Sequence, residues 1–175
     1  MKCGLCEAVE RKQDVVYEDE TLVAVASPSA FAVGHISVFP KQHFTILEMV
    51  PKEVLEKCAA LANKIGVAIF EALGVQGTNL LVRNGLGSGQ ATPHFSIEVI
   101  PRKENDDLPL SWEPQQAPED ELEVTLALFK EELKNLKEIQ PEEKQSESSS
   151  DVVKKEDVSQ SRKDSYLLKS LRRLP

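Results

Sequence analysis

The chain has 175 residues, 41% of them apolar and 29% charged, with a formal net charge of -8, the make-up of one ordinary globular domain with an appendage. Residues 1–102 carry nine basic and eleven acidic side chains and residues 103–175 twelve and eighteen, so broad electrostatic binding to nucleic acid or an anionic membrane is excluded. No apolar run approaches the roughly 18–20 residues that span a bilayer, and the polar start of the chain excludes a secretory signal; the expected setting is the cytoplasm, where three cysteines do not make a disulfide framework.

In chain order, Asp14–Glu18 and Thr21–Ala26 are β-rich runs separated by Asp19-Glu20, a hairpin signal. His35–Phe39 reads as a third strand, ended by Pro40. Pro51 suits the first turn of a helix in which Val54, Leu55, Cys58, Leu61, Ala62, Ile65 and Ile69 recur every three or four residues to about Leu73, with Gly74 as the stop. Asn79–Arg83 and Phe95–Ile100 are two further strands, and Leu122, Leu126, Phe129, Leu133 and Leu136 stripe a helix over about 118–139. The order predicts an α+β fold, an antiparallel sheet with two packed helices. Composition then changes: residues 140–163 are Ser-, Glu- and Lys-rich and read as a disordered linker. Residues 164–175 regain Tyr166, Leu167, Leu171 and Leu174 beside Arg172 and Arg173, a segment suited to docking in an apolar groove on this protein or on a partner.

Chemistry-bearing residues are few. Cys3-x-x-Cys6 reads either as half of a zinc site or as a redox pair, and the histidines that could complete a metal set are His35, His43 and His94. Cys58, on the apolar face of its helix, reads as core. The stretch Asn84-Gly85-Leu86-Gly87-Ser88-Gly89-Gln90 is either a phosphate-approaching loop or a long hairpin turn. In the strand after it, alternation puts His94, Ser96 and Glu98 on one face and Phe95, Ile97 and Val99 on the other.

Taken together, Cys3-Gly4-Leu5-Cys6, Tyr17–Glu20, Gly34–His43, Asn84-Gly85 with Gly89-Gln90, and His94–Arg102 resemble the histidine triad (HIT) superfamily over residues 1–138. The resemblance implies a HIT-like meander sheet over 1–139, a homodimer built on the first helix (Ile69 and Phe70) and the strand after it, and a nucleotide or phosphate held by Asn84, Gly85, Gly89, Gln90 and Ser96. It also implies a zinc ion on Cys3, Cys6, His43 and His94, as in galactose-1-phosphate uridylyltransferases. His35 is then a hydrogen-bonded structural histidine. The departures fall in the triad. Ser96 stands where relatives have the histidine that attacks the α-phosphate, Glu98 stands at the third triad position, and Val25, three residues before Pro28, stands at the ribose contact. Imidazole is nucleophilic near neutral pH and leaves readily, whereas a serine hydroxyl needs a base. The expectation is a zinc-stabilised domain without catalytic residues. Its alternative is a nucleotide phosphohydrolase or transferase using Ser96 with Glu98, a pair whose direct contact requires favourable rotamers.

Overall fold

The computed structural model describes residues 3–27, 29–109 and 113–138. The chain divides into two compact units, Met1–Pro109 and Leu110–Pro175. In the first unit the elements run α1 (Gly4–Arg11), β1 (Val15–Glu18), β2 (Leu22–Ala26), β3 (Ile36–Pro40), α2 (Lys52–Leu73), β4 (Gly77–Leu81) and β5 (Ile97–Arg102). The second unit contains α3, Glu119–Glu138, which carries the Leu122, Leu126, Phe129 and Leu133 stripe. The linker 140–163 and the segment 164–175 lie outside the described residues. Among the described residues, no helix is long and apolar enough to cross a membrane.

The five strands form one antiparallel sheet in the order β1-β2-β3-β5-β4. β1, β2 and β3 follow one another as a meander. After α2 the chain re-enters at the far edge as β4, and β5 fills the place between β4 and β3. Asp19 closes the first hairpin, its Oδ1 accepting the Thr21 and Leu22 backbone N–H groups at 2.7 Å each, which is the Asx-turn chemistry that favours aspartate there. Helix α2 begins after Pro51 and ends at Gly74, whose φ of 58° is the left-handed conformation glycine adopts without a Cβ clash. The expected strands thus form with ends shifted by about two residues, β4 starting at Gly77 and β5 at Ile97.

Alternation gives the sheet two different faces. On one, Leu22, Ala24, Ile36, Val38, Phe95, Ile97 and Val99 pack against Cys58, Leu61, Ala62, Ile65 and Ile69 of α2. On the other, Val23, Val25 and Phe39 pack under Leu5 and Val9 of α1. β2 is therefore apolar at successive positions, because each of its faces is covered. Helix α1 is an element that the sequence reading did not contain. It is only eight residues long, and of its apolar positions Leu5 lies inside the Cys-x-x-Cys pair while Ala8 and Val9 follow it.

Gly34, at φ 88°, leads into β3 with a backbone that L-residues rarely adopt, and an added Cβ would collide with Leu73 Cδ1 at the end of α2. Gly34→Ala is expected to lower unfolding free energy by about 1–3 kcal/mol, measured by denaturant titration. Gly77→Ala, with open space around its Cβ position, serves as the near-neutral control.

Candidate functional site

The polar part of the second sheet face begins where the apolar part stops. Val15, Val25, Ser37, Glu98 and Leu81 lie in one register row across all five strands, and the middle of that row is polar. Ser37 and Glu98 are direct cross-strand partners. The Ser37 hydroxyl donates to Glu98 Oε2 at 2.6 Å, and His35 Nε2 donates to the same oxygen at 2.8 Å. Ser96 Oγ donates to Oε1 at 2.7 Å. The rotamers that bring Ser96 and Glu98 together are thus the ones adopted, with the carboxylate at the centre of a closed set of donors. His35 in turn accepts the Phe31 N–H at Nδ1, which leaves its proton on Nε2, facing Glu98. Burial pushes the Glu98 carboxyl up, but the hydrogen bonds from His35, Ser37 and Ser96 outweigh it and hold the group below the ordinary glutamate range.

His94 lies on the same face, two residues before Ser96, but it faces a different set of atoms. It is 2% exposed, and its Nε2 donates to the Pro40 carbonyl at 2.9 Å. That bond fixes the tautomer and leaves a bare lone pair on Nδ1. Nδ1 lies 3.4 Å from Cys3 Sγ and 3.5 Å from Cys6 Sγ, and Cys6 Sγ lies 3.4 Å from His43 Nδ1. All four donor atoms fall within 4.8 Å of one another. Bonds of 2.0–2.3 Å in a tetrahedral site put neighbouring ligand atoms about 3.6 Å apart, so two sulfurs and two imidazole nitrogens here fit a metal ion. Burial and the neighbouring Cys3 push the Cys6 thiol up to about 11, and burial pushes His94 down. A metal would have to displace the thiol protons. Cys58 stands apart in the α2 core, its thiol pushed up to about 11 by burial, and His35 is outside the tetrad.

A cavity of about 530 Å³ opens beside these groups. Ser37, Ser96, Glu98 and His94 line it from the sheet, α1 lines it with Leu5 and Ala8, and Phe31 and Arg83 line it from the loops. Of the residues that sequence reading assigned to a nucleotide or phosphate, Gln90 and Ser96 line this cavity, whereas Asn84, Gly85 and Gly89 do not. The loop is tied to itself and to its neighbours. Asn84 Oδ1 accepts the Leu47 N–H and its Nδ2 donates to Glu48, Gln90 Oε1 accepts the Gly85 N–H, and Gln90 Nε2 donates to the Thr45 and Thr92 carbonyls. The Ser88, Gly89 and Gln90 N–H groups bond back to Gly85 and Leu86 carbonyls. Val25, expected at a ribose contact, is 1% exposed and packs in the apolar cluster under α1, with part of its surface on the cavity. Phe31 and Arg83 went unassigned in sequence reading, because neither belongs to a motif.

The HIT domain family matches residues 8–105. Adenylylsulfatase HINT3 of Arabidopsis thaliana is 33% identical over 106 residues, which cover 59% of this chain and 54% of that protein; the chain thus spans about half the length of this relative. An uncharacterized HIT-like protein of Methanocaldococcus jannaschii is 33% identical over 107 residues, covering 59% of this chain and 81% of its own length. The crystal structure of a Zn-bound histidine triad family protein from Mycobacterium smegmatis superposes with a TM-score of 0.59 at 27% identity, covering 80% of this chain and 99% of that one.

Glu98→Ala is expected to cost about 3 kcal/mol of stability, because it leaves the buried His35 and Ser37 donors and the half-buried Ser96 hydroxyl without their acceptor. Because the Glu98 carboxyl is held low in the folded state, its contribution is fully present above the unfolded value of about 4.3 and is lost as pH falls through the folded one. Denaturant titrations between about pH 5 and pH 2.5 should show wild-type stability falling more steeply than that of Glu98→Gln.

Proposed function

The chain belongs to the HIT family, and we propose that it is a zinc-stabilised member that binds a nucleotide or other phosphate ester in the cavity without transferring the nucleotidyl group. One observation carries this reading. The position of the attacking imidazole holds Ser96, whose proton is donated to Glu98 at 2.7 Å, a carboxylate already held low by two other donors. A base so stabilised has little drive to take the serine proton. His94 cannot replace the nucleophile, since one ring nitrogen donates to Pro40 and the other faces the two sulfurs. The binding groups in this reading are Gln90 and Ser96 on the cavity wall, with Asn84, Gly85 and Gly89 holding the loop that presents Gln90.

The S₂N₂ donor set favours zinc over magnesium or calcium, which take oxygen ligands, and the Mycobacterium smegmatis relative is described as Zn-bound. When bound, the ion supplies folding free energy by tying the start of α1 to the sheet. Homodimerisation is part of the same proposal. Ile69 is a core residue at 4% exposure, so the contact would come from the outer face of α2 and the edge strand β4, where Leu80 is 56% exposed. The docking role of residues 164–175 and the cytoplasmic setting also belong to the proposal.

A second reading, catalysis by Ser96 with Glu98 as base, draws on the short bond between them. Incubation with adenosine phosphoramidate, adenylylsulfate and diadenosine polyphosphates separates the two. Wild type and Ser96→Ala are expected to match the buffer blank, and wild-type turnover that vanishes in Ser96→Ala would establish the second reading instead. Metal analysis of chelator-free protein should find about one zinc per chain, with Cys3→Ser lowering both zinc content and melting temperature.

A further inference from the structure

Most of the cavity's polar groups are already committed. Ser96, Ser37 and His35 all donate to Glu98. The Gln90 amide is bound to backbone at both ends, and the glycine-loop N–H groups of Gly85, Ser88 and Gly89 bond within the loop. Arg11 lines the cavity but pairs with Glu7 at 3.3 Å. What is left is Arg83. It lines the cavity and makes no ion pair or hydrogen bond among the described residues. Its guanidinium carbon sits 5.0 Å from the centre of the Phe31 ring. Phe31 is itself stacked on His35, ring centres 5.2 Å apart and 20° from parallel, and His35 is buried and bonded to Glu98. The outer end of the Arg83 stem runs close to Gly89, where an added Cβ would lie 3.9 Å from Arg83 Cδ. The guanidinium is thereby held at the cavity by a column of rings that ends on a buried carboxylate, while its N–H donors stay uncommitted.

We propose that Arg83, and not the glycine loop, is the anion anchor of this cavity, and that it takes the phosphate of a ligand with a single phosphate group. This rests on the reading of the cavity as a phosphate-ester site and names the group that does the recognising. A guanidinium offers paired donors that match two phosphate oxygens, and contact with an aromatic ring restricts it without using those donors. The other charges on the lining argue for one phosphate rather than a polyphosphate chain. Glu98 is anionic, Asp14 is a second acid, Glu7 is neutralised by Arg11, and Arg83 is the lining cation without a carboxylate partner among the described residues. A second phosphate would add charge against Glu98 and Asp14 with no further unpaired cation among the described lining residues to meet it.

The test is calorimetric titration of the zinc-loaded full chain with AMP, ADP, adenosine and inorganic phosphate, for wild type, Arg83→Gln and Arg83→Lys. Thermal melts show whether each variant is folded. Wild type should bind AMP more tightly than ADP or adenosine. Arg83→Gln should weaken AMP about tenfold or more while leaving adenosine unchanged, and Arg83→Lys, which keeps the charge and loses the fork, should fall between them. AMP affinity within about twofold of wild type in both variants, or in Arg83→Lys alone should Arg83→Gln not fold, overturns the anchor and leaves the phosphate-ester reading standing. ADP binding as tightly as AMP overturns the single-phosphate claim. A wild-type protein that binds none of the four probes overturns the reading of the cavity and the anchor with it.

Discussion

Residues 94–99 obey one constraint on which the rest of the molecule depends: side chains along an extended chain alternate. Phe95, Ile97 and Val99 enter the core against α2, and His94, Ser96 and Glu98 are thereby delivered to the opposite face. A one-residue slip would bury the three polar groups under α2 and strip the core of three large apolar ones, so the packing of the inner face enforces the geometry of the outer one. The same register sets Ser37 opposite Glu98, and that pairing supplies one of the donors that make a buried carboxylate tolerable.

The outer face needs a cover, and its two parts are covered by different physics. Over Val23, Val25 and Phe39 the cover is apolar contact with Leu5 and Val9 of α1. No residue of α1 is fully buried, so these contacts alone are modest. The start of the helix is where Cys3 and Cys6 meet His43 and His94. Because α1 also forms one wall of the cavity, the residues that hold the N-terminus in place are the ones that give the cavity its shape.

Much of this was legible in the sequence. Strands, turn residues and the long helix follow from alternation, from Asp19 and Gly74, and from the apolar repeat of α2. Cys3-x-x-Cys6 and the candidate histidines His35, His43 and His94 stood out as rare residue types, but it was the resemblance to the HIT superfamily that singled out His43 and His94 to complete the tetrad. Three features were not legible. Helix α1 is too short for periodicity to announce, and its formation depends on the sheet beneath it. The Ser96–Glu98 contact depends on rotamers, which spacing along a strand does not fix. The engagement of the glycine loop depends on Thr45, Leu47 and Glu48, some forty residues away in sequence. Composition shows that a loop can approach a phosphate; it does not show that the N–H groups are already spent.

The polar face leading into β5 serves two separate sets of atoms, a Cys/His donor set that could hold a metal ion and the network around Glu98. His94 directs one nitrogen to the Pro40 carbonyl and the other to the sulfurs, and neither bond passes through Ser96 or Glu98. Glu98, for its part, draws its donors from Ser96, Ser37 and His35 and none from the tetrad. The two networks share a backbone and no hydrogen bond. Changes at positions 96 and 98 therefore leave the donor set at His94 intact, whereas loss of His94 would remove a ligand atom and expose the buried Pro40 carbonyl to an unmet need. Glu98 is itself held in place by the buried His35 and Ser37, so the strand carries two separate structural commitments, one at each end of its polar face.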